Sequence, residues 1–126
     1  MRLWLASLLA TALAACATSE SGLAPVQAPL SVALGQRVQV GRYLVRPLSV
    51  AEDSRCPSGV RCIWAGRLIV YGLVDGPGVH RGQYFTLGTA ESVGATTVTL
   101  SNATPERFAE GAVPPATYRF TFIGGR

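Results

Sequence analysis

From residue 30 onward, apolar and polar residues alternate with a period of two, the pattern of half-buried β-strands. Residues 118–123 show it most clearly, because Tyr118, Phe120 and Phe122 fall on one face of the segment. Residues 67–74 are apolar on both faces, which favours a central strand. The same pattern predicts further strands at residues 30–34, 38–40, 43–50, 81–87 and 96–101.

Glycine and proline separate these segments. Turns are predicted at residues 35–36, 41–42 and 75–78, and a loop at residues 88–94. Pro47 has no N–H to donate, so its part of the strand is predicted to lie at a sheet edge or in a bulge. Residues 102–115 are ambiguous, because Thr104-Pro105-Glu106 suits the first turn of a short helix that would end at Pro114-Pro115.

Six or seven short strands with turns between them predict an all-β fold. We expect a small antiparallel β-sandwich or a partly open barrel, Ig-like in architecture, with one disulfide-closed loop. Residues 30–126 would form this single β-rich domain, because a chain of 126 residues is long enough for one small core.

The start of the chain has a different character. Arg2 precedes a mostly apolar run at residues 3–13, which is too short to cross a bilayer but suits a secretory signal. The run ends in Leu-Ala-Ala-Cys at residues 13–16, which resembles the lipobox of bacterial lipoproteins. In that family the signal is cut before the cysteine, whose thiol and new amine are then acylated. The resemblance implies that residues 1–15 are a signal peptide and that Cys16 is the lipidated N-terminus.

The residues that follow bear on location. Residues 16–29 contain Cys16 and a small, polar, proline-bearing segment, which predicts a flexible tether between the lipid and the domain. By the same resemblance, Ala17 in place of an aspartate favours export to the outer membrane of a Gram-negative cell, facing the periplasm. An ordinary cleaved signal remains the alternative interpretation.

The distribution of charged residues adds little to the functional prediction. All eleven basic residues are arginines, set against seven acids, and they form no block. Scattered charge is typical of a solvated surface, so we expect no nucleic-acid partner. The predicted partners are the membrane, through the N-terminal lipid, and an envelope protein or the cell wall.

Residues 53–66, DSRCPSGVRCIWAG, carry the remaining chemistry. In an oxidising compartment, Cys56 and Cys62 predict a disulfide, whose closure of a short loop would stabilise the domain by about 2 kcal/mol. A labile redox bridge and a metal site are the alternatives. The spacing, however, is not the C-x-x-C of redox proteins, and a metal needs three or four ligands where the chain offers these thiols and His80.

Trp64 has two interpretations. The pattern favours an indole packed over the disulfide, where it would close one end of the sandwich. If Trp64 is instead partly exposed beside Arg55 and Arg61, the three side chains would make a binding patch, because tryptophan and arginine are enriched at interface centres. Glu52 and Asp53 would pair with these arginines as surface ion pairs worth under about 1 kcal/mol.

The segment also resembles a motif of small, uncharacterised bacterial envelope lipoproteins. The motif reads Asp-Ser-Arg-Cys-Pro, a short gap, Cys, and then Trp-Ala-Gly, which here corresponds to residues 53–57, Cys62 and residues 64–66. Outside this motif the resemblance extends only to the order of strands and a proline-rich segment before the last strand. It implies a location and an architecture, but no activity.

The chain shows no signature of an enzyme or a cofactor site. His80 is predicted to be an exposed residue near a hairpin, and no serine lies in a G-x-S-x-G sequence. We therefore expect a non-enzymatic binding or interaction module that uses no metal or cofactor. The alternatives are a structural or assembly accessory lipoprotein of the outer membrane, and a small-ligand-binding or redox-responsive envelope protein.

Overall fold

The structure, a computed structural model, describes residues 30–107 and 111–125. The predicted signal peptide, Cys16 and the tether lie outside these residues. The described residues form eight strands and one short 3₁₀ turn. The strands are β1 (Ser31–Val32), β2 (Val38–Val40), β3 (Tyr43–Asp53), β4 (Leu68–Gly76), β5 (Val79–Thr86), β6 (Ala90–Val93), β7 (Thr96–Thr104) and β8 (Arg119–Gly125).

Two antiparallel sheets of four strands each make a sandwich that does not close into a barrel. One sheet has the order β2-β3-β4-β5, and the other has the order β1-β8-β7-β6. The predicted all-β sandwich is therefore confirmed, with one strand more than the six or seven expected. The chain changes sheets between β1 and β2 and again between β5 and β6, so each sheet is built mainly of hairpins between consecutive strands.

The core lies between the sheets and follows the alternation of the sequence. On β4, Leu68, Val70 and Val74 are fully buried, while Ile69, Tyr71 and Leu73 are partly exposed on the outer face. On β8, Phe120 and Phe122 point inward as predicted, and the ring of Phe122 meets that of Phe85 edge to face at 5.3 Å between centroids. Each large side chain buried in this way stabilises the fold by roughly 1.5–3 kcal/mol.

Bulges change which positions face the core. In β7, Leu100 pairs with Phe122 and Asn102 with Thr121, so Ser101 is an extra residue. Leu100 and Ala103 are consequently both buried, although they lie an odd number of positions apart. Similar shifts in β3 fall between Pro47 and Ser49 and between Val50 and Glu52.

Pro47 occupies the position predicted for it. It lies beyond the end of β2, whose last pair with β3 is Val38 opposite Val45, and it adjoins the first bulge of β3. The missing N–H of Pro47 therefore removes no ladder bond with β2. Its carbonyl oxygen accepts a hydrogen bond from the Gly35 N–H at 2.6 Å.

Two local predictions are wrong. Residues 90–93, predicted as part of a loop, form β6, because they pair with the β-branched strand β7 from Ala90 opposite Thr99 to Val93 opposite Thr96. Thr104-Pro105-Glu106 does not begin a helical turn, since Thr104 is the last residue of β7. The short turn lies later, at Pro115–Thr117, where proline begins it instead of ending one.

Within residues 30–107 and 111–125, no helix is long and apolar enough to cross a membrane.

The packing of β8 generates a first prediction. Replacing the buried Phe120 by leucine should lower the free energy of unfolding by about 1 kcal/mol, because the smaller side chain leaves the space between the sheets incompletely filled. The matched control on the same strand is Ile123→Val, which changes a largely exposed side chain and should stay within about 0.5 kcal/mol of the wild type. Urea unfolding followed by circular dichroism measures both. Equal losses in the two variants would contradict the core assigned to β8.

Candidate functional site

The site is the loop of residues 54–67, which joins the long strands β3 and β4. Its base continues the pairing of these strands, because the Ser54 N–H donates to the Arg67 carbonyl at 2.8 Å and the Cys56 N–H to the Ala65 carbonyl at 3.2 Å. The Ser54 hydroxyl oxygen also accepts a hydrogen bond from the Arg67 N–H at 3.0 Å. The loop thus leaves the sheet as a narrow extension of the β3–β4 hairpin.

A disulfide between Cys56 and Cys62 closes the outer half of the loop, with 5.8 Å between the two Cα atoms. This confirms the predicted pairing. Inside the closed segment the Val60 N–H donates to the Pro57 carbonyl at 3.2 Å, and Gly59 has a positive φ of 77°. Pro57, Ser58 and Gly59 therefore make the turn that the sequence suggested.

Gly66 permits the close approach of the two sides of the base. Its φ is +69°, a left-handed conformation that favours glycine. A Cβ atom at this position would overlap the carbonyl oxygen of Ser54. Only glycine fits there without moving the backbone.

Below the disulfide, three polar side chains form a bonded cluster. Asp53 pairs across the sheet with Leu68, on the inner face, and its carboxylate accepts two hydrogen bonds of 2.8 Å from Nε and Nη2 of Arg55. The hydroxyl of Tyr118 donates to the same carboxylate at 2.7 Å. The side chains of Arg55 and Asp53 are only 15% and 10% exposed, so this is a largely buried pair rather than the surface ion pair expected from the sequence.

The cluster also joins the loop to the other sheet. Nη2 of Arg55 donates to the Pro105 carbonyl at 3.1 Å, and Nη1 of Arg107 donates to the Arg55 carbonyl at 3.3 Å. Further out, the Ser58 N–H donates to the Arg107 carbonyl at 2.9 Å. These bonds hold the loop against the segment that follows β7.

The environment of the cluster shifts its acid–base equilibria. The hydrogen bonds from Arg55 lower the pKa of Asp53 and outweigh the opposing effect of burial. Burial, reinforced by the bond to Asp53, raises the pKa of Tyr118 to about 12. The Asp53 carboxylate likewise raises the pKa of Arg55. At neutral pH the cluster therefore holds a carboxylate, a guanidinium and a neutral phenol.

The outer end of the loop is apolar and exposed. Ile63 is 94% exposed and Trp64 is 83% exposed, and Val60, within the disulfide-closed turn, is 44% exposed. Arg61 is also exposed. We call Val60, Arg61, Ile63 and Trp64 the loop tip.

Each residue predicted for the site now has a position. Trp64 is not packed over the disulfide, so that expectation is wrong, and the indole faces solvent beside Arg61. The expectation that Arg55 belongs to the exposed patch is also wrong, because its guanidinium lies under the loop and bonds Asp53. The structure therefore leaves Arg61 and Trp64 exposed in the loop tip and assigns Arg55 to the support.

Sequence reasoning missed two residues of the site. Tyr118 was predicted only as a core residue of the last strand, yet its hydroxyl completes the Asp53 cluster. Ile63, the most exposed large apolar residue among those described, was not singled out. Its position was the available signal, because Ile63 and Trp64 form an apolar pair just outside the disulfide-closed turn, where the short loop leaves little room to bury them.

Other chemistry in the described residues is sparse. His80 is exposed on β5 and contacts Asp75 across the hairpin. No group of three or more His, Cys, Asp or Glu residues within residues 30–107 and 111–125 is placed to hold a metal ion. An open depression of about 420 Å³ lies beside the loop base, not between the sheets, and is lined by residues that include Pro105, Val113 and Pro114.

No protein-family model, curated protein or solved structure matches this chain.

The Asp53 cluster predicts a specific pH dependence. The proton of Tyr118 is held more tightly in the folded state, with a pKa of about 12 against an ordinary 10.0, so its contribution to stability is present below pH 10 and is lost as the pH rises towards 12. The pKa of Asp53 is lowered on folding, so its carboxylate contributes to stability at neutral pH. That contribution is lost only as the pH falls below the ordinary pKa of 3.8. Tyr118→Phe should cost about 1 kcal/mol at pH 7 and should flatten the alkaline decline.

Urea unfolding of both proteins between neutral pH and pH 11 tests this dependence. The other tyrosines are common to both proteins, so the difference between the two curves reports Tyr118. If the free energies of unfolding of the two proteins fell in parallel as the pH rose, ionisation of Tyr118 would not contribute to stability.

Gly66 supplies a second prediction for the site. Gly66→Ala should lower the free energy of unfolding by roughly 3 kcal/mol, because the new methyl group meets the Ser54 carbonyl in addition to the strain of a positive φ. The matched control is Gly59→Ala, where φ is +77° but a Cβ atom meets nothing within 4 Å, so the cost should be about 1 kcal/mol. Thermal or urea unfolding compares the two variants, and equal costs would contradict the close approach at the loop base.

Proposed function

We propose that this protein is a lipid-anchored, non-enzymatic binding module of the bacterial cell envelope, which contacts another component of the envelope through the loop tip. The observation that carries the proposal is the exposure of Ile63 and Trp64 on a loop that is fixed from below. Tryptophan and arginine at the centre of a contact supply apolar area together with charge and hydrogen-bond donors. Arg61 and Trp64 offer this combination.

The support of the loop favours binding over a purely structural role. Side chains that serve stability are largely buried, as Asp53, Arg55 and Tyr118 are, whereas Ile63 and Trp64 are 94% and 83% exposed and add little buried surface to the domain. A loop that is held in one conformation also loses little entropy when it binds a partner. The hydrogen bonds of Arg55 and the disulfide therefore fix the position of the loop tip as well as stabilising the fold.

The sequence supports the proposed location and the proposed lipid anchor. The lipobox-like residues 13–16 support lipidation at Cys16, and Ala17 supports the outer membrane. A partner in the envelope is consistent with a domain that is confined to the membrane surface by its lipid.

A structural or assembly accessory role is the main alternative. It predicts that changes at the tip alter stability, whereas the binding role predicts that they alter contact alone. The redox alternative has one observation in its favour, because Cys62 is exposed, and exposed bridges are among the more reducible ones.

A photo-crosslinking residue at Arg61 tests the proposal in intact cells that carry the lipidated protein. We expect one dominant adduct at this position and none when the probe replaces Tyr84, which is 59% exposed on the outer face of the edge strand β5. Combining the probe with Ile63→Ser and Trp64→Ala should reduce the adduct at least about fivefold while leaving the free energy of unfolding within about 0.5 kcal/mol. The absence of any adduct at Arg61, in a protein that is folded and anchored, would contradict the proposal.

A further inference from the structure

The loop tip carries the two most exposed large apolar side chains among the described residues. Ile63 is 94% exposed and Trp64 is 83% exposed, and the next most exposed large apolar residue, Tyr84, reaches only 59%. The two are consecutive in sequence and directly follow Cys62 of the disulfide. Apolar surface is thus concentrated at one small projecting point.

This surface has no means of burying itself. The disulfide fixes the width of the loop, and Asp53 and Arg55 fix its base. The Ser58 N–H, bonded to the Arg107 carbonyl, fixes the side that faces the other sheet. The tip therefore keeps its apolar side chains in water unless something outside the domain covers them.

The size of the tip argues against a large protein interface. A stable protein–protein contact buries about 800 Å² on each partner. A tryptophan supplies at most about 250 Å², and Ile63 and Val60 supply less, so the tip alone falls well short. Insertion into a bilayer interface needs no complementary groove, and a few projecting apolar residues are sufficient for it.

The residue types also fit a lipid surface. Tryptophan prefers the level of the headgroups, where its ring is half apolar and its N–H finds water or a carbonyl. Residues 57–66 contain Arg61 and no acid, which suits anionic headgroups. Two acids beside the loop are hydrogen-bonded to it: Glu106 accepts from the Ser58 hydroxyl at 3.0 Å, and Glu52 accepts from Arg67 at the loop base.

The chain outside the structure brings the tip within reach of a membrane. Residues 17–29, the predicted tether, span at most about 45 Å when fully extended. The longest strands of the sandwich, of about ten residues, span roughly 35 Å. A domain attached at Cys16 can therefore turn until the tip meets the bilayer that holds the lipid, and the attachment keeps the local concentration of that bilayer high.

We propose that the loop tip docks the domain onto the interfacial region of an anionic bilayer, with Trp64 and Ile63 inserted at headgroup level and Arg61 paired with lipid phosphate. The inference rests on the proposed function and names the partner of the same surface. The lipid keeps the protein on the membrane, while the tip fixes the orientation of the domain.

Fluorescence of Trp64 provides the test. The chain has two tryptophans, Trp4 and Trp64, and cleavage before Cys16 removes Trp4, so the lipidated protein has Trp64 as its only indole. The lipidated protein is reconstituted in vesicles of phosphatidylethanolamine with phosphatidylglycerol, and quenching is measured with lipids brominated near the headgroup and with acrylamide in the water. We expect brominated lipid to quench Trp64 and acrylamide accessibility to fall at least about twofold when phosphatidylglycerol is included.

Two controls separate docking from the proximity that the anchor imposes. In the first, Trp64→Phe is combined with Tyr84→Trp, which moves the only indole to the sheet face, where it should keep its full acrylamide accessibility. In the second, Arg61→Gln should remove the dependence on phosphatidylglycerol. Both changes affect exposed side chains, and circular dichroism checks that each protein is folded.

The outcomes distinguish this inference from the proposed function. If Trp64 stays as accessible to acrylamide as the indole at position 84, the docking proposal is wrong. If the probe at Arg61 then captures a protein or a glycan in cells, the binding function stands with a different partner. If it captures nothing, both proposals fail. A lipid adduct together with quenching of Trp64 supports both.

Discussion

The carboxylate of Asp53, held between the guanidinium of Arg55 and the hydroxyl of Tyr118, is the interaction on which the arrangement of this molecule most depends. Its three hydrogen bonds, of 2.7 and 2.8 Å, join the end of one sheet, the loop that leaves it and the residue directly before the opposite sheet's last strand. A largely buried charge pair is tolerable only when its remaining donors are satisfied. Arg55 meets that condition by also donating to the Pro105 carbonyl.

This constraint divides a short stretch of sequence into two functional parts. Asp53 and Arg55 face inward and fix the base of the loop, whereas Arg61, Ile63 and Trp64 face outward. The disulfide ties Cys62, the residue before Ile63, to Cys56 at the base of the loop. A mobile loop would lose conformational entropy when its tip bound a partner. A loop that is rigid at its base avoids most of that loss.

Much of the sandwich could be predicted from the chain, because strand alternation is a local signal. Local residue patterns placed β3, β4, β7 and β8: residues apolar on both faces marked β4, and the period of two in β8 placed Phe120 and Phe122 on one face, which is the core face. β6 was missed because Ala90–Val93 has only one strongly apolar residue, and its strand character comes from pairing with β7. The helical turn was misplaced for a similar reason, because proline favours the first position of a turn both at Pro105 and at Pro115. The strand β7 continues to Thr104, so the turn forms only at Pro115.

What the sequence determined by itself is the set of local properties: the all-β class, the disulfide between Cys56 and Cys62, the bulge near Pro47 and the lipobox-like start that predicts an anchored protein. These depend on residues close together along the chain. The direction of Trp64 and the role of Arg55 were decided only by the tertiary structure. Both depend on whether Asp53, Tyr118 and the carbonyls after β7 meet beneath the loop, and such partners, up to 65 positions apart, are brought together only when the two sheets pack.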